Sequence, residues 1–155
     1  MNEFIRVNGS NIEEFLDFIS NIDLKKINPN ALLLYAEPEK VRQRIELGFE
    51  IIEIYKVDYE IKGCICVITN SNESQSIWTI VLFYQDASCT EILGVKLVKE
   101  MLSEIKKTGY YKVTNTFPAD DLEQQKILID CGFIPEGYFK GAILAKRDLI
   151  TYSLF

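Results

Sequence analysis

Residues 77–84, IWTIVLFY, form an apolar run without a single charge. A run of this length suits a central strand buried on both faces. Such a strand requires partner strands at its sides and other elements above and below it. The rest of the chain has to supply them.

The flanking segments do so. Residues 49–57 and 59–69 are rich in β-branched and aromatic residues, with Asp58 near their connection, and predict paired antiparallel strands. Residues 70–76 (NSNESQS) read as a polar turn into the central run. Residues 3–7 read as a short first strand. Ser10 and Glu13 stand at capping-box spacing, and Ile12, Phe15, Leu16 and Ile19 continue at helical spacing to about Asn21. Asn28-Pro29-Asn30 breaks the chain, and Pro38 opens a second helix that carries Val41 and Ile45 and ends at Gly48.

After the central run, Ser88 and Glu91 form a second capping box. It leads a long helix bearing Ile92, Val95, Leu97, Val98, Met101, Leu102 and Ile105, stopped at Thr108-Gly109. Residues 110–117 read as a strand. Asp120 and Glu123 make a third box before a helix that runs to Cys131, with Gly132 suited to the left-handed position past its end. Residues 133–144 and 148–155 close the chain as a hairpin-like pair around Ala145-Lys146-Arg147. The order is β-α-α-β-β-β-α-β-α-β-β, an α+β class with a mixed sheet and helices on both faces. No repeat or linker interrupts it, so one domain is expected over residues 1–155.

Composition narrows the functions. A net charge of −6 and only isolated pairs of cations, such as Lys25-Lys26 and Lys106-Lys107, disfavour a nucleic-acid surface. No apolar run is long enough for a membrane helix, and Met1-Asn2-Glu3-Phe4 lacks the start of a signal peptide, so a cytoplasmic protein is expected. The sequence contains no histidine, which removes Ser-His-Asp schemes and the commonest metal ligand. Cys64 and Cys66, two apart on a strand, should share a face; with Cys89 and Cys131 they read as buried small residues, and no metal is expected.

The stretch LEQQKILIDCGFIPEG, residues 122–137, runs from a helix through Cys131-Gly132-Phe133 into a strand bearing Glu136-Gly137. With the element order, it resembles the GNAT (Gcn5-related) N-acetyltransferases over essentially the whole chain. The resemblance implies a central mixed, mostly antiparallel sheet. It also implies transfer of an acetyl group from acetyl-CoA to a primary amine of a small molecule or peptide by direct attack. The family's loop, Gln/Arg-x-x-Gly-x-Gly/Ala, aligns with Cys89, Thr90, Glu91, Ile92, Leu93 and Gly94. Gly94 fits, while Cys89 and Ile92 replace the usual first residue and first glycine. With Phe83, Tyr84 and Val95 these are the expected acetyl-CoA contacts, since a helix N-terminus supplies free N–H donors to phosphate. Glu91 brings a carboxylate there and, in a capping box, would occupy one donor.

In the family a tyrosine often serves as general acid and an asparagine stands near the start of its helix. Leu128 and Asp121 occupy those positions here. Tyr84, Tyr110, Tyr111 and Tyr138 are the substitute acids, and Glu50, Glu53, Asp58 and Glu60 the carboxylates that could act as a base; Glu53, Tyr84 and Tyr138 are the catalytic candidates. Asp86 reads as a turn residue. The resemblance places acceptor specificity in residues 21–38, with Tyr35 and Glu37, and in the last hairpin with Tyr138; it also implies a possible homodimer through the last strands. The departures at Cys89, Glu91, Ile92 and Leu128 support an alternative: a catalytically impaired GNAT-fold module that binds a small molecule or a protein.

Overall fold

In the computed structural model the chain runs β1 (Asn2–Arg6), α1 (Ile12–Ser20), α2 (Leu24–Ile27), α3 (Ala31–Leu34), α4 (Pro38–Glu46), β2 (Glu50–Val57), β3 (Glu60–Thr69) and β4 (Ile77–Gln85). It continues through α5 (Glu91–Thr108), β5 (Lys112–Pro118), α6 (Leu122–Asp130), β6 (Ile134–Ala142) and β7 (Arg147–Leu154). The structure describes residues 2–69, 76–110, 112–142 and 147–155; most of the turn expected at 70–76, Tyr111, and Ala145 and Lys146 of the expected hairpin connection lie outside the described residues.

The strands form one sheet in the order β1-β2-β3-β4-β5-β7-β6. All neighbours are antiparallel except β4 and β5. A parallel pair cannot be joined by a tight turn, and α5 provides the crossover. Side-chain alternation then sorts the sheet into two cores. Ile65, Val67, Trp78, Phe117 and Tyr152 face α5 and α6, together with Ile127 and Leu128. Cys64, Cys66, Ile52, Ile54 and Leu82 face the first helices, against Phe15, Tyr35 and Val41. The two cysteines share a face, as their spacing requires.

Backbone chemistry explains the ends. Asp58 and Tyr59 both have positive φ, 49° and 72°, which gives the β2–β3 hairpin a two-residue loop of the mirror-image type. At the end of α6, Gly132 takes φ 91°, its N–H bonds the Ile129 carbonyl, and the Phe133 N–H reaches back to Leu128. That is a Schellman stop, with Phe133 buried beside Leu128 to complete it.

Several expectations need correction. The break at Asn28-Pro29-Asn30 separates two one-turn helices, α2 and α3, so four helices precede β2. One turn is too short to show a periodicity; α2 is held by the Asp23 carboxylate, which accepts from the Lys26 N–H at 3.2 Å. All three caps shift by one or two residues. Ser10 donates its hydroxyl to Asn8 instead, leaving Asn11 at the first cap. Ser88 does the same toward Asp86, and Thr90 caps α5. Asp121, not Asp120, caps α6 by accepting from the Gln124 N–H. The central strand is not buried on both faces throughout: Ile77 is exposed, while Trp78, Ile80, Leu82 and Phe83 are buried. Among the described residues, no helix is long and apolar enough to cross a membrane.

Candidate functional site

β4 and β5 pair from Ile77 opposite Lys112 to Ile80 opposite Asn115, and then part. The divergence starts at an irregularity on the other edge of β4. Cys66 of β3 pairs with Leu82 and the next residue, Val67, with Ile80, so Val81 is an extra residue. A bulge bends its strand and increases the local twist, which turns the second half of β4 away from β5. The gap holds a cavity of about 580 Å³, within the range of small-molecule sites. Phe83, Tyr84 and Gln85 line it from β4, Pro118 from β5, and Asp121, Glu123 and Gln124 from the start of α6. Asn21, Ile22, Asp23, Lys26 and Ile27, before and within α2, form a further wall, with Arg147 at its rim. Backbone groups on the facing edges of the open strands are thus available to a ligand.

The N-terminus of α5 stands beside this gap, tied to it by Gln85, whose side-chain amide donates to the Thr90 carbonyl at 2.6 Å. The Cys89 N–H bonds Asp86, and those of Leu93 and Gly94 bond the Thr90 carbonyl. Among the described residues no hydrogen bond uses the N–H groups of Thr90, Glu91 or Ile92. These are the orphan donors at the positive end of an 18-residue helix. Glu91 occupies none of them: its carboxylate lies 3.3 Å from Lys126 of α6. The pair is largely solvent-exposed and so only weakly screens the negative charge that Glu91 brings to this terminus. Ile92 and, at the start of α6, Leu122 are exposed apolar residues.

Gly94 answers to packing. A Cβ there would lie 2.5 Å from Gln85 Oε1 and 2.6 Å from Ile127 Cδ1. The glycine lets α6 and the end of β4 close on α5. Gly94→Ala is therefore expected to cost up to about 2 kcal/mol net, an overpacking cost of about 1–3 kcal/mol less the roughly 1 kcal/mol by which a helix interior favours alanine over glycine, measured by urea denaturation. A net gain of about 1 kcal/mol, the helix preference alone, would show that both neighbours yield freely.

A buried polar chain runs behind the cavity. Asn115, the last residue of β5 paired with β4, donates to Gln124 Oε1 at 2.6 Å, and Gln124 Nε2 donates to Asp121 Oδ2 at 2.9 Å. Asn115 and Gln124 are almost wholly buried. Every link carries a complementary donor and acceptor, which fixes the start of α6 against β5. Asn115 and Gln124 were not among the sequence candidates, although an asparagine amid the apolar positions of residues 110–117 is a visible signal.

Of the catalytic candidates, the structure brings only Tyr84 into the cavity. Its ring packs on Phe18 of α1 at 5.5 Å, and burial followed by the nearby Asp86 raises its hydroxyl above the usual tyrosine range, so it stays protonated at neutral pH. Glu53 is separated from the cavity. It lies two strands away on the α5 face, where burial and then the Glu104 carboxylate push it up to about 7. Tyr138 is also apart: exposed on β6, it donates to Asp148 at 2.6 Å beside a second depression, and Arg147 lines both. Glu50 is buried in an ion pair with Arg44, and Glu60 pairs with Lys62 near the hairpin turn. Asp58 sits in that turn; Asp86 accepts from Ser88, the turn role read from sequence. Tyr110 packs against the α5-side core. Of the expected cofactor contacts, Phe83 and Tyr84 line the cavity, whereas Leu93, Gly94 and Val95 turn into the core. Leu128 is fully buried, so its position points into the core instead of the cavity.

No family model matches the sequence, and no curated protein is similar to it in sequence. Solved structures are similar in fold. A GNAT-family acetyltransferase from Streptococcus pneumoniae superposes with a TM-score of 0.79 at 14% identity, over 99% of this chain and 98% of its own. RimL, a ribosomal L7/L12 alpha-N-protein acetyltransferase solved with coenzyme A, gives 0.72 at 12% identity over 99% and 93%. Arabidopsis thaliana NAA60 in complex with a bisubstrate analogue gives 0.72 at 13% identity over 100% and 98%.

Proposed function

We propose that this chain, which has the GNAT fold, transfers an acetyl group from acetyl-CoA to a primary amine. The observation that carries the reading is the gap between β4 and β5, opening from the Val81 bulge beside the free first-turn amides of α5. A thioester arm fits along the open edge of β4, where backbone groups can polarise its carbonyl, and the pyrophosphate falls on the Thr90, Glu91 and Ile92 N–H groups. Lys126, already next to Glu91, adds a cation.

The chemistry then needs positioning more than a covalent intermediate. The neutral amine attacks the thioester carbonyl carbon; a C–N bond forms, the C–S bond breaks, and sulfur leaves as the thiolate. Tyr84 is the cavity's protonated hydroxyl and can return a proton to sulfur, while the ammonium proton passes to water. The acceptor class is a primary amine of a small molecule or peptide, and RimL, named for acetylating a ribosomal protein, supports the peptide amine. Titration calorimetry with acetyl-CoA tests the donor: binding in the micromolar range is expected, and no heat at high micromolar concentration overturns the reading.

The second reading, a module that binds without catalysis, is favoured by Leu128, buried where the family's acid stands, and by Glu91 at the helix end. Thiol release across a panel of amines and amino-terminal peptides separates the two: acetyl-CoA binding without release from any acceptor favours the module.

A further inference from the structure

A side chain from the first helices closes the gap where β4 and β5 part. Asn28, between α2 and α3 and only 4% exposed, donates through Nδ2 to the carbonyl oxygens of Val81, at 3.4 Å, and Thr116, at 3.2 Å. These are the first residues on each strand beyond the last parallel pair, Ile80 with Asn115. Its Oδ1 accepts from the Asn30 N–H at 3.2 Å, and its own N–H bonds the Leu24 carbonyl at 2.8 Å. With both sides of the amide engaged, its orientation is set by its partners. The side chain takes the place of one missing rung, giving donors to two part-buried carbonyls beyond the last parallel pair. The cavity's lining begins at Phe83 on β4 and Pro118 on β5, each two residues past a bridged carbonyl, and includes Ile27, the residue before Asn28, so along both strands the bridge lies between the lining and the last parallel pair.

We propose that Asn28 is the end-stop of the acyl pocket and selects acetyl over longer acyl groups. The inference rests on the donor reading above. If the phosphates lie at the N-terminus of α5, beyond the end of β4, the acyl end of the same molecule points back along β4 toward the apex. There it meets the Asn28 amide. Both amide hydrogens are already committed, to Val81 and Thr116, so the side chain offers no further donor to an acyl carbonyl. It acts by occupying space, and its bonds to both strands stop it from swinging aside. Each further methylene on the acyl chain would have to displace a bridged amide. Discrimination by shape in such a pocket amounts to about tenfold or more per methylene.

The test is calorimetry with acetyl-CoA and butyryl-CoA on the full chain and two variants. Butyryl carries two more methylenes than acetyl, so the wild type is expected to bind acetyl-CoA about a hundredfold or more tightly than butyryl-CoA. Asn28→Ala empties the apex and should bring that ratio close to one. Asn28→Leu refills the space without the hydrogen bonds, so it should lower the melting temperature yet keep the acetyl preference. Taking the ratio within each variant cancels any common loss of folded protein. An indifferent wild type, an unchanged ratio in Asn28→Ala, or a Leu variant as permissive as the Ala variant each overturns the end-stop while the donor reading stands. Absence of heat with either ligand on the wild type overturns both.

Discussion

Replacing Arg44 by methionine is expected to destabilise the fold by about 3–5 kcal/mol at neutral pH, the cost of breaking a buried pair from one side. Glu50 begins β2 and is 1% exposed. Its carboxylate accepts from Arg44 Nε at 2.7 Å and from the Tyr35 hydroxyl at 2.8 Å. Burial raises the Glu50 carboxyl and the guanidinium holds it down against that rise. Without Arg44, the glutamate must be desolvated as an anion or take up a proton, and either choice costs stability. Arg44 also donates to the Leu34 carbonyl at 2.9 Å, so one side chain ties α4 and the end of α3 to β2. Urea denaturation at pH 7 reads the loss, and Glu50→Gln in the same chain should restore a large part of it, because the amide is neutral and still accepts from Tyr35. The variant's deficit should also shrink in acid, where a raised carboxyl is protonated in the folded state. A loss under about 1 kcal/mol would place the pair among weak surface bridges.

These helices show what the chain discloses locally and what it does not. The long helix of residues 91–108, the paired strands of residues 50–69 and the Gly132 stop follow from periodicity and turn chemistry, and all three stand in the structure. The caps were legible as to type but not position: Ser88 and Thr90 are both suitable caps, and Asp86 decided between them by capturing Ser88. The gap was illegible for a different reason. Val81 is one of several similar apolar residues, and nothing nearby marks it as the one without a partner on β3. Its place is set by register against a strand more than ten residues earlier. Asn28 was visible only as a chain breaker, since its partners Val81 and Thr116 lie far along the sequence.

Glu53 is a further case of this kind and carries the last expected result. It alternates with Ile51 and Tyr55 on one face of β2, so its burial could be read locally; the acidic side of α5 that covers it could not. Desolvation is the main cause of its rise to about 7, with Glu104 and Glu100 adding to it and Arg6 and Lys107 opposing it. Arg6 and Lys107 are themselves engaged with Glu104, at 3.0 and 2.9 Å, which holds that carboxylate below its usual range. Between about pH 4.5 and 7 the folded chain therefore keeps a proton on Glu53 that the unfolded chain releases. The stability linked to this proton is fully present below about pH 4.5 and is lost as pH rises through 7, with a ceiling of about 3 kcal/mol. Glu53→Gln removes the ionisation but keeps the shape. Denaturation of both proteins from pH 5 to 8.5 should show the smallest difference at the acid end, an advantage for the variant that grows up to about pH 7, and a plateau above it. A variant whose advantage stayed constant across that range would mean that Glu53 ionises in the fold as it does in water. Because Glu53 does not line the cavity, the same substitution should leave acetyl-CoA binding at pH 7 unchanged, which distinguishes a buried acid at the sheet–helix interface from a base serving the reaction.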